Sequence, residues 1–482
     1  MEKLPPSYRK ESDEETPAVE AAHTLYDYAQ NYYEPESIGI ISFCHTIGYN
    51  QDFIALIDLN ESNLTYGQII NKITLGKGEE IGRMNWARSA TSLSDVTSVE
   101  RTHLIVPCMN SNRIYVVEVF RKTLRIAKVI RSSELLSRDV STPYSVHTLP
   151  INGAPVHIST MGDREGHAKG DFVLLDKKTF DIRTRKKTDT FSGYGGDFCL
   201  QTRHNVLISC EWGHPRIFRN GLSVDDLENV STSFGTSIHI WQIAPGVLKQ
   251  TIELDPRYAQ FTTSVRFLHN ADCNHAFVCS ALGGSIFHLH MESVTGRWSA
   301  DHILTFPPYK VTNWISNEIP AMLTDSVISL DDRWLYVAGW LHGYIWRFDI
   351  SDPFRITLSC KIHVGGILAS QPGISFQPEH NHLEIEKSNN EAPGFRGGPG
   401  SLQLSLDGRR LYVSNSAYKV WDAQFYPELS SIGGQILRID IGINEMTINK
   451  NFKLDLAKMA GGPYVAREIH FGSGDCTSDS FH

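Results

Sequence analysis

The chain has 482 residues, with 45 Lys and Arg against 54 Asp and Glu for a net charge of −9, and a pI near 6.1. That balance excludes a polyanion such as nucleic acid as partner, because phosphate binding needs a concentrated basic face. No segment reaches 18 consecutive apolar residues, and the start, Met1-Glu-Lys-Leu-Pro-Pro, lacks an apolar core, so no membrane span or secretory leader is read and the setting expected is cytoplasmic.

Residues 1–36 are rich in Glu, Ser and Pro and read as a flexible N-terminal arm outside the folded body. From residue 37 to 482 a single domain is expected, because short alternating apolar runs recur through it: Ile54 to Asp58, Ile114 to Val119, Phe172 to Asp176, Ile238 to Trp241, Ile286 to His290, Ile345 to Ile350 and Ile436 to Ile441. Their starts lie 48 to 66 residues apart, with 91 before the last, which is room for a four-stranded sheet and its loops in each unit. Each run reads as the strand ending one side of its unit. Seven radially repeated sheets make an all-β, seven-bladed β-propeller, and the ring is expected to close by pairing segments near Ile41 and Ile469.

Between the runs, the basic stretch Arg183 to Lys187 reads as a solvated hairpin. The eight cysteines fall singly, without a CxxC pair, and suit a reducing compartment. In that setting the N-x-S/T triplets at Asn60, Asn63 and Asn229 carry no glycosylation inference. Most cysteines lie in apolar strand runs; Cys44 and Cys476 lie nearer loops and are the candidate reactive thiols. His288 and His290, on one face of a strand, read as ordinary structural histidines. Ser329-Leu-Asp-Asp-Arg-Trp-Leu-Tyr-Val337 and Ser405-Leu-Asp-Gly-Arg-Arg-Leu-Tyr-Val413 are nearly the same text, a strand, a tight turn and a second strand. Residues 371–400, polar and ending in the Gly394 to Gly400 knot, read as a long loop insertion before the last blade, lying over one face.

Arg203 to Trp212, Val265 to Asn270, Trp340 to Gly343 with Asp349 to Pro353, Gly398 to Gly408, Trp421 to Pro427 and Gly474 to Asp479 together resemble the signature segments of the selenium-binding protein family, whose members include methanethiol oxidases. The resemblance runs from about Ile41 to Asp479. It implies selenium bound through a cysteine and, in the enzymatic members, copper-assisted oxidation of methanethiol to formaldehyde, hydrogen peroxide and hydrogen sulfide. The departures fall on the chemistry. Where the family has a His-His pair before a Trp, this chain has Gly82-Arg83 before Trp86; its Cys-x-x-Cys segment is Ser89-Ala-Thr-Ser92 here. Its His-x-x-His is Tyr144-Ser-Val-His147, and its late Ala-His-Glu is Ala466-Arg467-Glu468.

His147, His204, His269 and His342 survive as the candidate copper ligands, and Cys44 and Cys476 as the candidate selenium thiols. An Arg stays protonated and cannot ligate a metal, so Arg83 and Arg467 repel a cation. If they converge with His147 near the channel, they form a pocket for a carboxylate, sulfonate or phosphate; if not, they are loop arginines. Three functions stay open: a copper-dependent thiol oxidase, a propeller that binds selenium or another small ligand without turnover, and a scaffold presenting a propeller face to a protein partner. The lost His and Cys positions favour the second.

Overall fold

The apolar runs form strands because each packs between two neighbouring blades. In the computed structural model, which describes residues 35–46, 50–88, 101–151, 153–183, 191–270, 272–371, 373–377, 392–457 and 459–477, the strand Gln51–Asp58 is buried at every position but its first. Seven sheets radiate from an axis. Blade one orders Ile69–Lys77, Gln51–Asp58, Ile38–His45 and Tyr464–Phe471 from rim to centre, so the last strand of the chain closes the ring. Ile41 pairs with Ile469 in that closure, as expected from the sequence. Closure leaves no free sheet edge at the junction, which is the physical reason the two chain ends share a blade.

Blade two runs from Asn85–Trp86 to Thr123–Ile130, and blade three, with three strands among the described residues, from Ser141–Thr148 to Ala168–Leu175. Blades four to seven begin at Phe198–Gln201, Thr262–Phe267, Leu323–Ile328 and Ser401–Leu404, and end at Val247–Glu253, Trp298–Thr305, Thr357–His363 and Met446–Asp455. All seven apolar runs occupy the third strand of a different blade. One expectation is corrected: outside blade three, the runs do not end their units, because a fourth strand follows each. Those rim strands alternate between exposed and half-buried, as Val247–Glu253 does, because one face meets water and little apolar text marks them.

The two repeated sequences are equivalent turns in blades six and seven. Asp332 and Gly408 hold φ of 57° and 69°, a left-handed corner that Gly and Asp tolerate. In each, the Ser hydroxyl caps the turn: Trp334 N donates to Ser329 Oγ at 3.0 Å, and Arg410 N to Ser405 Oγ at 3.1 Å. These first-to-second-strand turns lie on one face of the ring. The second-to-third-strand loops lie on the other and carry the short helices Pro215–Asn220, Val224–Glu228, Val230–Ser233, Lys419–Phe425 and Pro427–Ile432. The long gap before the last run is therefore shared between the 371–400 insertion and this helical loop of blade seven.

The insertion supplies the strand Ser375–Gln377 to a small side sheet with Tyr309–Thr312 and Glu318–Ile319. Residues 378–391, the stretch Ser89 to Ser92, most of the Arg183 to Lys187 run and residues 1–34 lie outside the described residues. The expected arm boundary shifts at its end. Glu36 is buried and accepts from Arg410 Nε at 2.7 Å and Tyr412 Oη at 2.9 Å, so it belongs to the propeller. Among the described residues, no helix is long and apolar enough to cross a membrane.

Candidate functional site

Every blade sends a polar group from in or beside its innermost strand into the axis. Asp325 of blade six accepts from Arg83 of blade two at 2.8 Å, from Arg266 of blade five at 3.2 Å and from the Leu402 amide of blade seven at 2.9 Å. Asp197 of blade four accepts from Arg266 at 2.7 Å and from Ser145 of blade three at 2.7 Å. Blade one contributes Arg467 and Glu468; Glu468 lies 3.8 Å from Arg83, and Arg467 pairs with Glu80. Burial pushes the Asp197 carboxyl up, but Arg266 and Arg83 outweigh it and bring the pKa down to about 2.

A cavity of about 50 Å³ opens on the helical side of this ring, walled by Arg83, Arg467, Tyr144, Tyr418 and Glu468 among others. Arg83 Nε donates to Tyr144 Oη at 3.1 Å, and the Arg467 guanidinium lies over the Tyr418 ring, 5.4 Å from its centroid. Arg467 is 6% exposed, and its Nε has no hydrogen-bond partner among the described residues. An aromatic layer covers the cavity: Trp212 meets Tyr144 at 4.2 Å between ring centroids, and Phe261 packs on Trp421 at 5.8 Å. The tryptophans are held by their indole N–H groups, Trp212 donating to the Thr263 carbonyl at 3.1 Å and Trp421 to that of Ile217 at 3.0 Å.

The four substituted histidine positions, 82, 83, 144 and 467, thus all line one cavity. A copper centre does not fit what lines it. No wall residue is a histidine or cysteine, two guanidiniums supply fixed positive charge, and Gly82 cannot regain an imidazole on this backbone. A Cβ at Gly82 would stand 2.5 Å from the Tyr144 carbonyl oxygen.

The structure does not bring the four candidate histidines together. His147 is half-buried beside the ring, its Nε2 4.0 Å from Asp197, and desolvation with the nearby Arg266 and Arg83 lowers its pKa to about 4. His204 lies in the first turn of blade four. His269, at the same end of blade five, contacts Asp332 Oδ1 at 2.9 Å and the Cys476 carbonyl at 3.2 Å. His342 sits at the other end of blade six, stacked on Tyr309 at 3.6 Å with Nε2 3.0 Å from the Ile319 carbonyl; burial lowers its pKa to about 3. Antiparallel strands put successive turns at opposite ends of a blade, which keeps His342 away from His204 and His269. Among the described residues, one set of three potential ligand groups converges within metal distance, the half-buried Asp163 with the exposed Glu165 and His167.

The candidate thiols are both buried. Cys44 is the last residue but one of the strand Ile38–His45, next to the loop that follows it, but it is fully buried; burial, then Asp52, pushes its thiol well above the ordinary range, and Sγ accepts from the Ile81 amide at 3.4 Å. Cys476 sits in a turn, with Sγ donating to the Ser405 carbonyl at 3.4 Å. Arg83 and Arg467 do converge on one cavity, and each already faces a carboxylate. The sequence carries no sign of the carboxylates that complete this ring, Asp197, Asp325 and Glu80, because the groups they meet come from blades far apart in the chain. His288 and His290, read from the sequence as ordinary structural histidines, meet a third in blade five: His275 Nδ1 lies 2.9 Å from His288 Nε2, beside His290.

The pattern of the family described as 56 kDa selenium binding protein (SBP56) matches residues 32–482. A Caenorhabditis briggsae protein named "Putative selenium-binding protein" is 53% identical over 97% of this chain and 94% of its own length. A Xenopus laevis methanethiol oxidase is 36% identical over 89% of this chain and 91% of its own. Among solved structures, that of a hypothetical selenium-binding protein from Sulfolobus tokodaii superposes with a TM-score of 0.81 at 27% identity, covering 95% of this chain and 98% of that one.

Proposed function

The chain belongs to the 56 kDa selenium-binding protein family, and on that premise we propose that it is a propeller binding selenium or another small ligand, with the methanethiol oxidation named for its more distant relatives reduced or lost. The observation that carries this reading is the pair Arg83 and Arg467 on the wall of the axial cavity. A fixed guanidinium disfavours a cation: at about 6 Å and an effective dielectric near 20 the repulsion of one unit charge is on the order of 3 kcal/mol, and copper(II) doubles it. The same groups suit an anion. The unpartnered Nε of Arg467 and the hydroxyls of Tyr144 and Tyr418 are donors, and about 50 Å³ holds a few non-hydrogen atoms, the scale of a carboxylate or selenite.

Covalent selenium needs a thiolate, and the burial of Cys44 opposes one. Cys476, beside His269, is the thiol of the two that supports the reading better. Cys44, Cys108, Cys199, Cys210, Cys273, Cys279 and Cys360 are free thiols, which supports a reducing, cytoplasmic setting. The partner on this reading is a small thiol or selenium ligand.

Elemental analysis after expression in copper-supplemented medium, with an assay of peroxide and sulfide released from methanethiol, tests it. The expected result is copper far below one equivalent and negligible turnover. Stoichiometric copper with sustained peroxide and sulfide release would overturn the reading. Selenite titrated into the wild type and into Tyr144→Phe tests the anion pocket, with weaker binding expected in the variant.

A further inference from the structure

Beside the axial cavity, on the same helical side of the ring, lies a larger space of about 500 Å³. Leu227 and Val230 from the helical loop of blade four, Leu282 and Leu341 from the loops of blades five and six, and Phe425 from the blade-seven helix Lys419–Phe425 wall it. The remaining side is the hairpin joining Tyr309–Thr312 to Glu318–Ile319. It turns at Asn313, with φ of 64°, and carries Trp314 against Phe425 at 6.2 Å between ring centroids. Phe425 in turn stands 6.5 Å from Trp421 of the axial cavity, so aromatic rings divide the two spaces.

We propose that this second space binds an uncharged, largely apolar small molecule carrying an aromatic ring, at a site distinct from the axial cavity. Its volume falls in the range of about 300–1,000 Å³ usual for small-molecule pockets. Phe306, Trp314 and Phe425 offer ring surface for a flat guest. No Lys, Arg or His lines the space, and Glu318 is the one charged residue among those that do. An anion would therefore lose its hydration and meet a carboxylate with no counter-charge. Glu318 itself is exposed at the rim with Lys310 across from it in the strand register, where water screens both, so the walls make no strong demand for a cation either.

The polar groups fit the same occupant. Gln371 Nε2 donates to the Phe425 carbonyl at 2.9 Å, and the Gln424 amide brackets Leu222, accepting from its N–H at 3.0 Å and donating to its carbonyl at 2.8 Å. These two hold the walls in place. The half-buried Gln260 side chain has no hydrogen-bond partner among the described residues, which leaves one amide to meet a carbonyl or hydroxyl of the guest. Ile315, in the same hairpin as Trp314, is 61% exposed, an apolar surface that an apolar guest would withdraw from water.

Prodan, an uncharged naphthalene ketone, titrated by fluorescence into the full-length protein is expected to bind at a single site with a blue-shifted emission, and anilinonaphthalenesulfonate, an anion of similar size, to bind far more weakly. Trp314→Ala should weaken prodan binding roughly tenfold through the lost ring surface. Leu282→Lys, which puts a charge into the opposite wall, should weaken it too, with melting temperatures confirming that both variants are folded. Ile443→Ser, which removes an apolar side chain 88% exposed on blade seven, should leave it unchanged. Absence of prodan binding, equal affinity for the sulfonate, binding that survives both wall substitutions in folded protein, or binding lost in Ile443→Ser would each overturn the proposal.

Discussion

Replacing Arg467 by Ala tests whether the axial arginines are structural counter-ions as well as cavity walls. Arg467 is 6% exposed and pairs with Glu80, which is 1% exposed, so the substitution strands a buried carboxylate. Breaking a buried pair from one side costs about 3–5 kcal/mol. Lys419 Nζ, 3.7 Å from the other Glu80 oxygen, moderates the loss and places the expectation near 3 kcal/mol. With a urea slope of about 3 kcal/mol/M, that is a midpoint lowered by roughly 1 M. Glu80→Gln removes the stranded charge, so Glu80→Gln/Arg467→Ala should recover part of the stability, with a coupling energy of at least about 1 kcal/mol in the double-mutant cycle. An Arg467→Ala midpoint equal to wild type, or no coupling to Glu80, would refute the argument.

Three further outcomes are expected. His342 has its pKa lowered to about 3 from an unfolded value near 6.5, so its contribution is fully present above pH 6.5 and is lost as pH falls toward 3, about 3 kcal/mol by pH 4; urea midpoints at pH 7 and pH 4 should fall less in His342→Gln than in wild type. Gly82→Ala should lose about 1–3 kcal/mol in thermal or urea unfolding, because its Cβ would stand 2.5 Å from the Tyr144 carbonyl oxygen, and Gly82→His/Arg83→His should not restore copper binding in elemental analysis. In mass-spectrometric alkylation of the native protein, the half-buried Cys273 and Cys360 should react before the fully buried Cys44, Cys108 and Cys279.

The sequence alone determined the architecture. A third strand packed on both sides must be apolar along its length, so each blade announced itself once, and the paired turns at Asp332 and Gly408 repeated their text because a left-handed corner with a Ser cap admits few residues. The rim strands were less legible, since a half-solvated strand such as Val247–Glu253 carries a weak pattern. The order of the family's signature segments was also legible, as were the substitutions at Gly82, Arg83, Tyr144 and Arg467.

Only the tertiary structure decided what those substitutions face. A propeller axis gathers one or two residues from each of seven blades, so the partners of Arg83 and Arg467 are distant in sequence, Asp325 lying 242 positions from Arg83 and Glu80 lying 387 from Arg467. No local spacing encodes that meeting. The same geometry separated His342 from His204 and His269 by putting successive turns at opposite ends of their blades, and joined His275 to His288 and His290, because register across neighbouring strands sets which side chains touch.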